Sequence, residues 1–337
     1  MSAQALIFSA AQQAFNGQHY VLEKTVAVGN GSAIIRFRAN GTGPTLPAAK
    51  VLGGTPPSGR YIAKTWFGGA YPQAQEVQLL QSLAWSEHVV KLVNLPNNPF
   101  TNNHYVVMEF LSGGSLEDFK NDVGQVIPTK VLWSIFLCLV KACIAMAYPT
   151  KKVGQGVVPE EIYPDVEPDN LAHRDLHPKN ILFDIYDPNG REHDMAPRVK
   201  LVDFTRAERL DKVEAFHKTD ERDWDRYHGF ASQPQTGKRN PGIDHNILSI
   251  GRVMAYMLGP AQSRLLSAVE YRIRLEDDDV SPSVELLDII RRCLAVNPVN
   301  RPRLEVLLQR VQSRVYHDTT KQHMDNYLRR SWIKQGI

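Results

Sequence analysis

The sequence predicts an α+β protein, β-rich in its N-terminal third and mainly helical beyond it. Three observations predict it. Runs with strand composition (Val21 to Val28, Ala33 to Ile35, Tyr61 to Phe67, Val89 to Leu95 and His104 to Phe110) crowd into the N-terminal third. Apolar runs with helical spacing, at Thr129 to Ala147, Leu286 to Leu294 and Leu304 to Val311, occupy the remainder. A length of 337 residues is enough for two modest cores.

Bulk properties narrow the classes. Hydrophobic content of 43% and charged content of 22% are ordinary for a folded globular chain. A net charge of +3 is too small to argue for nucleic acid or a membrane surface as partner. Cys138, Cys143 and Cys293 all fall in apolar, helix-like stretches, which reads as buried free thiols in a reducing compartment. The N-terminus lacks a basic region and its apolar run is broken at Gln12 and Gln13, so no secretory signal is expected. A cytoplasmic location is expected, with nuclear residence open. Val131 to Tyr148 is apolar, but Lys141 interrupts it, which favours a buried helix over a membrane span.

In chain order, the strand Val21 to Val28 runs into Gly29-Asn30-Gly31-Ser32 and a second apolar run. Strand, glycine turn and strand let backbone amides approach phosphate groups without Cβ obstruction; a plain hairpin turn has the same signature. Residues 39–60 hold five glycines and four prolines and read as a long loop. Lys64 is the one charged residue in the strand Tyr61 to Phe67, so it either snorkels or is paired. Glu76 is the sole acidic residue between Lys64 and Ser86, on a helix whose stripe is Leu79, Leu80 and Leu83. It is the candidate partner of Lys64, or an exposed helix glutamate. Ser115 to Asp118 forms a capping box that starts the next helix. Residues 149–170, with four prolines, read as a long surface connection.

The chemistry concentrates at His173-Arg174-Asp175-Leu176-His177-Pro178-Lys179-Asn180 and at Asp203-Phe204. Asn180 to Phe183 and Val199 to Val202 read as short buried strands that present these groups on their connections. Carboxylate and amide oxygens are hard ligands suited to Mg²⁺, which takes one or two carboxylates and completes its shell with phosphate and water. With Asn180 and Asp203 as that pair, Asp175 is left to accept a proton from an attacking hydroxyl.

HxDxxxxN followed by Asp-Phe at the next strand end resembles the catalytic and metal-binding loops of the eukaryotic protein kinase family. The resemblance spans roughly residues 18 to 315. It implies a bilobal kinase-like fold, with an extension at 1–17, an N-lobe at 18–111, a C-lobe at 112–316 and a helical extension at 317–337. It implies ATP with Mg²⁺, a protein substrate and serine/threonine specificity. By this likeness Asp175 is the catalytic base, Asn180 and Asp203 hold metal, and Lys64, paired with Glu76, holds the phosphates. Gly29, Asn30, Gly31 and Ser32 cover the nucleotide, Met108 is the gatekeeper, and Glu109, Leu111 and Leu182 line the adenine site. His173 is implied to be a packed core residue, and Arg174 to pair with a phosphorylated activation loop. Asn246 to Gly259 resembles the central helix of the large lobe, and Arg301 the partner of the family's Ala-Pro-Glu anchor.

Departures from the pattern are expected to matter. Ile34 replaces the third glycine and Ile62 a small residue that packs on adenine. His177 stands in place of a lysine that reaches the transferred phosphate, and its imidazole is fully charged only if its pKa is raised. Thr205 follows Asp203-Phe204 instead of glycine, which predicts a less mobile metal loop. Asn246 replaces an aspartate that caps the catalytic-loop backbone. Ala231 to Pro234 is the nearest match to the anchor and lacks its acid. Thr205 and Thr219 are the candidate phosphosites. Asp187 to Gly190 is a turn signal, Glu276 to Asp279 a solvated acidic run, and Met324, Leu328 and Trp332 form one helical stripe. The same departures fit a nucleotide-binding pseudokinase scaffold. A small-molecule phosphotransferase is the third reading, suggested by His177-Pro178 and opposed by Asn297 to Pro302.

Overall fold

The computed structural model describes residues 20–28, 32–39, 50–51, 59–66, 73–94, 105–123, 127–149, 159–184, 193, 196–211, 239–263, 283–295 and 297–316. The chain divides into two compact units, Met1–Phe110 with Thr150–Pro159 and Leu111–Pro149 with Glu160–Ile337. It carries a four-stranded antiparallel sheet and, among the described residues, six α-helices, an arrangement compatible with the α+β class.

The first unit contains β1 (Tyr20–Val28), β2 (Ser32–Ala39), β3 (Lys50–Val51), β4 (Arg60–Trp66), α1 (Gln73–Ser82), β5 (Val93–Asn94) and β6 (Tyr105–Glu109). Its main sheet has the order β1-β2-β4-β6. Strand alternation explains its core. Ile35 and Phe37 are buried on one face while Ile34 and Arg36 project from the other. Phe37 is fully buried, 5.6 Å from Tyr20 in a T-shaped contact and 5.4 Å from Tyr61. Burial, and to a lesser extent Tyr61, pushes the Tyr20 phenol up to about 12.

One expectation needs correcting. Among its described residues, the segment read as a strand from Val89 adds no full strand to the main sheet: Leu92 bridges to Met108, and β5 pairs with β3. That pairing puts a two-residue strand inside the glycine- and proline-rich stretch read as loop. Lys50 and Val51 lie between its glycine clusters, where backbone pairing is still available.

The second unit contains α2 (Leu116–Val123), α3 (Thr129–Ala147), β7 (Leu171–Ala172), β8 (Ile181–Phe183), β9 (Val199–Leu201), β10 (Glu208–Arg209), α4 (Pro241–Ser263), α5 (Val284–Cys293) and α6 (Leu304–Tyr316). Every residue of α3 from Val131 to Ala147 is buried, and the helix packs against α4, α6 and β9. A helix apolar on all sides needs such neighbours. Among the described residues it alone is long and apolar enough to cross a membrane, and 94% of that stretch is buried inside the protein. Cys138, Cys143 and Cys293 are buried, and burial raises the thiols of Cys143 and Cys293. Ser115 caps α2 as expected: its Oγ accepts from the Asp118 N–H at 3.1 Å, and its own N–H donates to Asp118 Oδ2 at 3.0 Å.

The hairpin β8–β9 and the two-stranded β7–β10 carry the motif residues. β10 is two charged residues long, too short to carry a strand pattern in the sequence. The start of α4 is docked on the approach to β7. Asn240 accepts the Ile243 N–H at 3.0 Å and donates to the Pro168 carbonyl at 3.1 Å. Gly242 has no room for a side chain, since a Cβ there would lie 2.2 Å from the Asn170 backbone. Gly29, Asn30, Gly31, Thr219, Asp187 to Gly190, Ala231 to Pro234, Glu276 to Asp279, Met324, Leu328 and Trp332 lie outside the described residues.

Gly242→Ala is therefore expected to lower stability by about 1–3 kcal/mol through overpacking. Urea unfolding of the two proteins checks it; equal midpoints would show that the close approach carries no constraint.

Candidate active site

The candidate residues fall into two sets, one in each unit. In the first, the outward alternation of β4 would leave Lys64 as a buried cation, and the structure supplies its counter-ion. Lys64 Nζ donates to both carboxylate oxygens of Glu76, at 3.1 Å each, with Lys64 4% and Glu76 0% exposed. Glu76 sits in the first turn of α1, where a carboxylate also meets the positive end of the helix. The helix starts at Gln73, early enough to bring Glu76 within reach despite the short separation in sequence. Ile34 lies directly opposite Lys64 in the β2–β4 register, and Ile62 opposite Met108 in the β4–β6 register. Ser32 opens β2 opposite Trp66. Glu109 is committed to its neighbour: its N–H donates to the Lys91 carbonyl at 3.0 Å and its Oε1 accepts the Lys91 N–H at 2.9 Å.

In the second unit the loop after β7 is pinned from below. Asn246 on α4 accepts the His173 N–H at 3.0 Å and donates to the Leu171 carbonyl at 2.8 Å. The asparagine amide supplies both an acceptor and a donor here, although asparagine at this position is a departure from the pattern. His173 is fully buried, hydrogen-bonded at Nε2 to the Val202 carbonyl at 3.1 Å and at Nδ1 to the Asp175 N–H at 3.3 Å. Nδ1 accepts and Nε2 donates, so the ring is the neutral Nε2–H tautomer. Burial drives its pKa down to about 4 against smaller opposing effects of Val202 and the nearby carboxylates. Its ring lies 4.6 Å from that of Phe204, also fully buried. His173 is a packing residue.

Asp175 is held by its own loop. Asn180 Nδ2 donates to the Asp175 carbonyl at 3.0 Å and to its Oδ2 at 3.3 Å. His177 Nε2 is 3.8 Å from the same oxygen, and His177 Nδ1 accepts the Lys179 N–H at 3.3 Å. Asp203 ends the β9 segment in a left-handed conformation, φ 62°, and caps the short 3-10 turn Phe204–Arg206. Thr205 donates its hydroxyl to Asp203 Oδ1 at 2.5 Å. Leu182, half-buried between buried Ile181 and Phe183, bridges to Ser115, and Leu111 is buried.

Three partners were not legible in the sequence. Arg206 Nη1 lies 3.9 Å from Asp175 Oδ1. Glu208 forms an ion pair with Arg174, the residue the resemblance assigned to a phosphorylated loop. Asp244 receives Arg239 and supports buried Arg301, which donates to the carbonyls of Ala295 at 2.7 Å and Asp244 at 2.9 Å. Burial lowers Arg301 to about 10. All three belong to a charged segment or a helix start, where sequence shows the charge but not its partner.

The donor set suits a divalent cation. Asn180 spends its NH₂ on Asp175, so its side-chain carbonyl oxygen is the atom that could hold a cation, and Asp203 adds a carboxylate two residues beyond β9. One amide and one carboxylate oxygen match Mg²⁺. No protein-family model matches the chain, and no curated protein matches it.

Glu76→Ala is expected to cost about 3–5 kcal/mol by stranding a buried ammonium, whereas Lys64→Met with Glu76→Leu is expected to be near neutral. Denaturant unfolding of the single and double variants measures this, and equal losses would place the pair in water. His173 gives a pH signature. Its folded pKa, about 4, lies below the ordinary 6.5, so the unfolded chain binds the proton first as pH falls. Stability from this group is present above 6.5 and declines toward 4, by up to about 3 kcal/mol. The pH profile of His173→Phe is expected to be flatter over that window.

Proposed function

We propose that this chain is a protein kinase of the bilobal type, using Mg-ATP to phosphorylate a serine or threonine hydroxyl of a protein substrate. The observation that carries the reading is the Asn180 amide donating to both the backbone and the carboxylate of Asp175. It orients a carboxylate as a base and turns an amide oxygen outward as a ligand in one arrangement. Asp175 accepts the proton of the acceptor hydroxyl; the hydroxyl oxygen forms a bond to the γ-phosphorus, the β–γ bridging bond breaks, and ADP leaves with that electron pair. Mg²⁺ held by Asn180 and Asp203 would neutralise charge on the phosphates. Within the first unit, the ammonium of Lys64, held by both oxygens of Glu76, is a fixed charge of the kind that meets nucleotide phosphates. Fixed groups of this kind act through positioning and electrostatics, so their intact geometry supports the reading more than the surrounding substitutions oppose it.

A nucleotide-binding scaffold without turnover is the second reading, and Arg206 is the observation that favours it. A guanidinium 3.9 Å from Asp175 Oδ1 competes with an acceptor hydroxyl for that carboxylate oxygen.

Intact mass after incubation with Mg-ATP and a generic protein substrate tests the two. Phosphate added by the wild type, with a loss of at least about 10²-fold in Asp175→Asn, is expected. Arg206→Ala is expected to preserve or raise the rate. If neither the wild type nor Arg206→Ala adds phosphate to itself or the substrate, the kinase reading falls; nucleotide-dependent thermal stabilisation would then favour the scaffold.

A further inference from the structure

The sheet of the first unit says how a nucleotide on Lys64 is recognised, given the reading that Lys64 holds phosphates. Residues directly opposite in neighbouring strands share a face. The register places Ile34 opposite Lys64, Arg36 opposite Ile62, Arg38 opposite Arg60, and Ile62 opposite Met108. These side chains occupy one face. The other face is closed by the core of Tyr20, Ile35, Phe37, Tyr61, Ala63 and Val107. A nucleotide whose phosphates meet Lys64 therefore lies on the Ile34 face. With its phosphates toward the hairpin end at Val28 and Ser32, its base falls toward Ile62 and Arg36.

That position is not an apolar slot. Arg36 Nε lies 2.8 Å from Glu23 Oε2, a charge contact without hydrogen-bond alignment, and the guanidinium carbon is 5.1 Å from the centre of the Phe110 ring. Glu23 also takes Arg60 Nε at 3.0 Å and Arg38 Nε at 3.6 Å. The β1–β2 register shifts between Leu22 and Lys24, where Glu23 sits, and such a bulge re-aims a side chain. Here it brings one carboxylate among three arginines. A purine laid on this face would have to desolvate or displace the Glu23–Arg36 contact before it could lie flat. Ile62 beside them adds a branched side chain where the ring would lie flat.

We propose that the phosphate donor is recognised by its polyphosphate and not by its base, and that the Glu23–Arg36 pair beside Ile62 is the element that removes base discrimination. Calorimetric titration of the full chain with the Mg²⁺ complexes of ATP, GTP and inorganic tripolyphosphate tests this. The three are expected to bind within about tenfold of one another. Arg36→Val is expected to tighten ATP by about tenfold or more while leaving tripolyphosphate unchanged, and Glu23→Gln to move ATP the same way. If wild-type protein binds ATP more than about tenfold tighter than tripolyphosphate, the inference fails while the phosphate role of Lys64 stands. If none of the three binds and Lys64→Met changes nothing, the phosphotransfer reading fails and takes the inference with it. The comparison of ligands on the wild type decides even where a variant does not fold.

Discussion

A charge removed from water must be met by another charge or a hydrogen-bonding group, and much of this structure follows from that constraint. Lys64 and Glu76 satisfy it mutually. Each would cost several kcal/mol buried alone, so strand β4 and helix α1 are tied to one relative placement within their unit. The same rule recurs in the second unit. Lys120 donates to the Met257 carbonyl at 2.8 Å, its pKa lowered by burial, and Arg301 reaches two carbonyls with Asp244 close by. These contacts link α2 to α4, and α4 to the segment before α6. They specify the packing more than they strengthen it.

Around Asp175 the constraint is backbone strain. Arg174 and Asp203 both adopt positive φ, 61° and 62°, which costs a non-glycine residue on the order of 1–2 kcal/mol. The strain is held by what surrounds it. Asn246 pins the chain before Arg174, His173 bridges to the Val202 carbonyl, and its ring packs on Phe204 just past Asp203. The two strained residues are thus coupled through one buried imidazole. That ring must stay neutral, because its two nitrogens serve one donor and one acceptor role.

Substitutions that look like losses in the sequence are partly absorbed by this network. Asn246 supplies one acceptor and one donor, both used. Thr205 gives up glycine's freedom but adds a hydroxyl that orients the Asp203 carboxylate. Its engagement there sets Thr205 apart from a freely presented phosphosite. Arg174 finds a permanent carboxylate in Glu208, on the strand that pairs with β7. Exposed pairs of this kind contribute little to stability, but they set where a loop rests.

By itself the sequence determined most local elements: strand composition marked the longer strands, the all-apolar run marked α3, and Ser115 marked the start of α2. It also named Lys64 and Glu76 as a candidate pair, because a lone cation in an apolar strand either snorkels or is paired and only Glu76 was near. It did not show that Val93–Asn94 would pair with Lys50–Val51, since strands of two residues carry too few side chains for a pattern. The Glu23–Arg36 contact was equally hidden. It depends on a register shift in β1, and register is a relation between strands. Tertiary structure alone decided which carboxylate each arginine meets: Arg36 with Glu23, Arg174 with Glu208, Arg206 beside Asp175. Charge is written in the chain, but long flexible side chains take the partner that folding brings within reach.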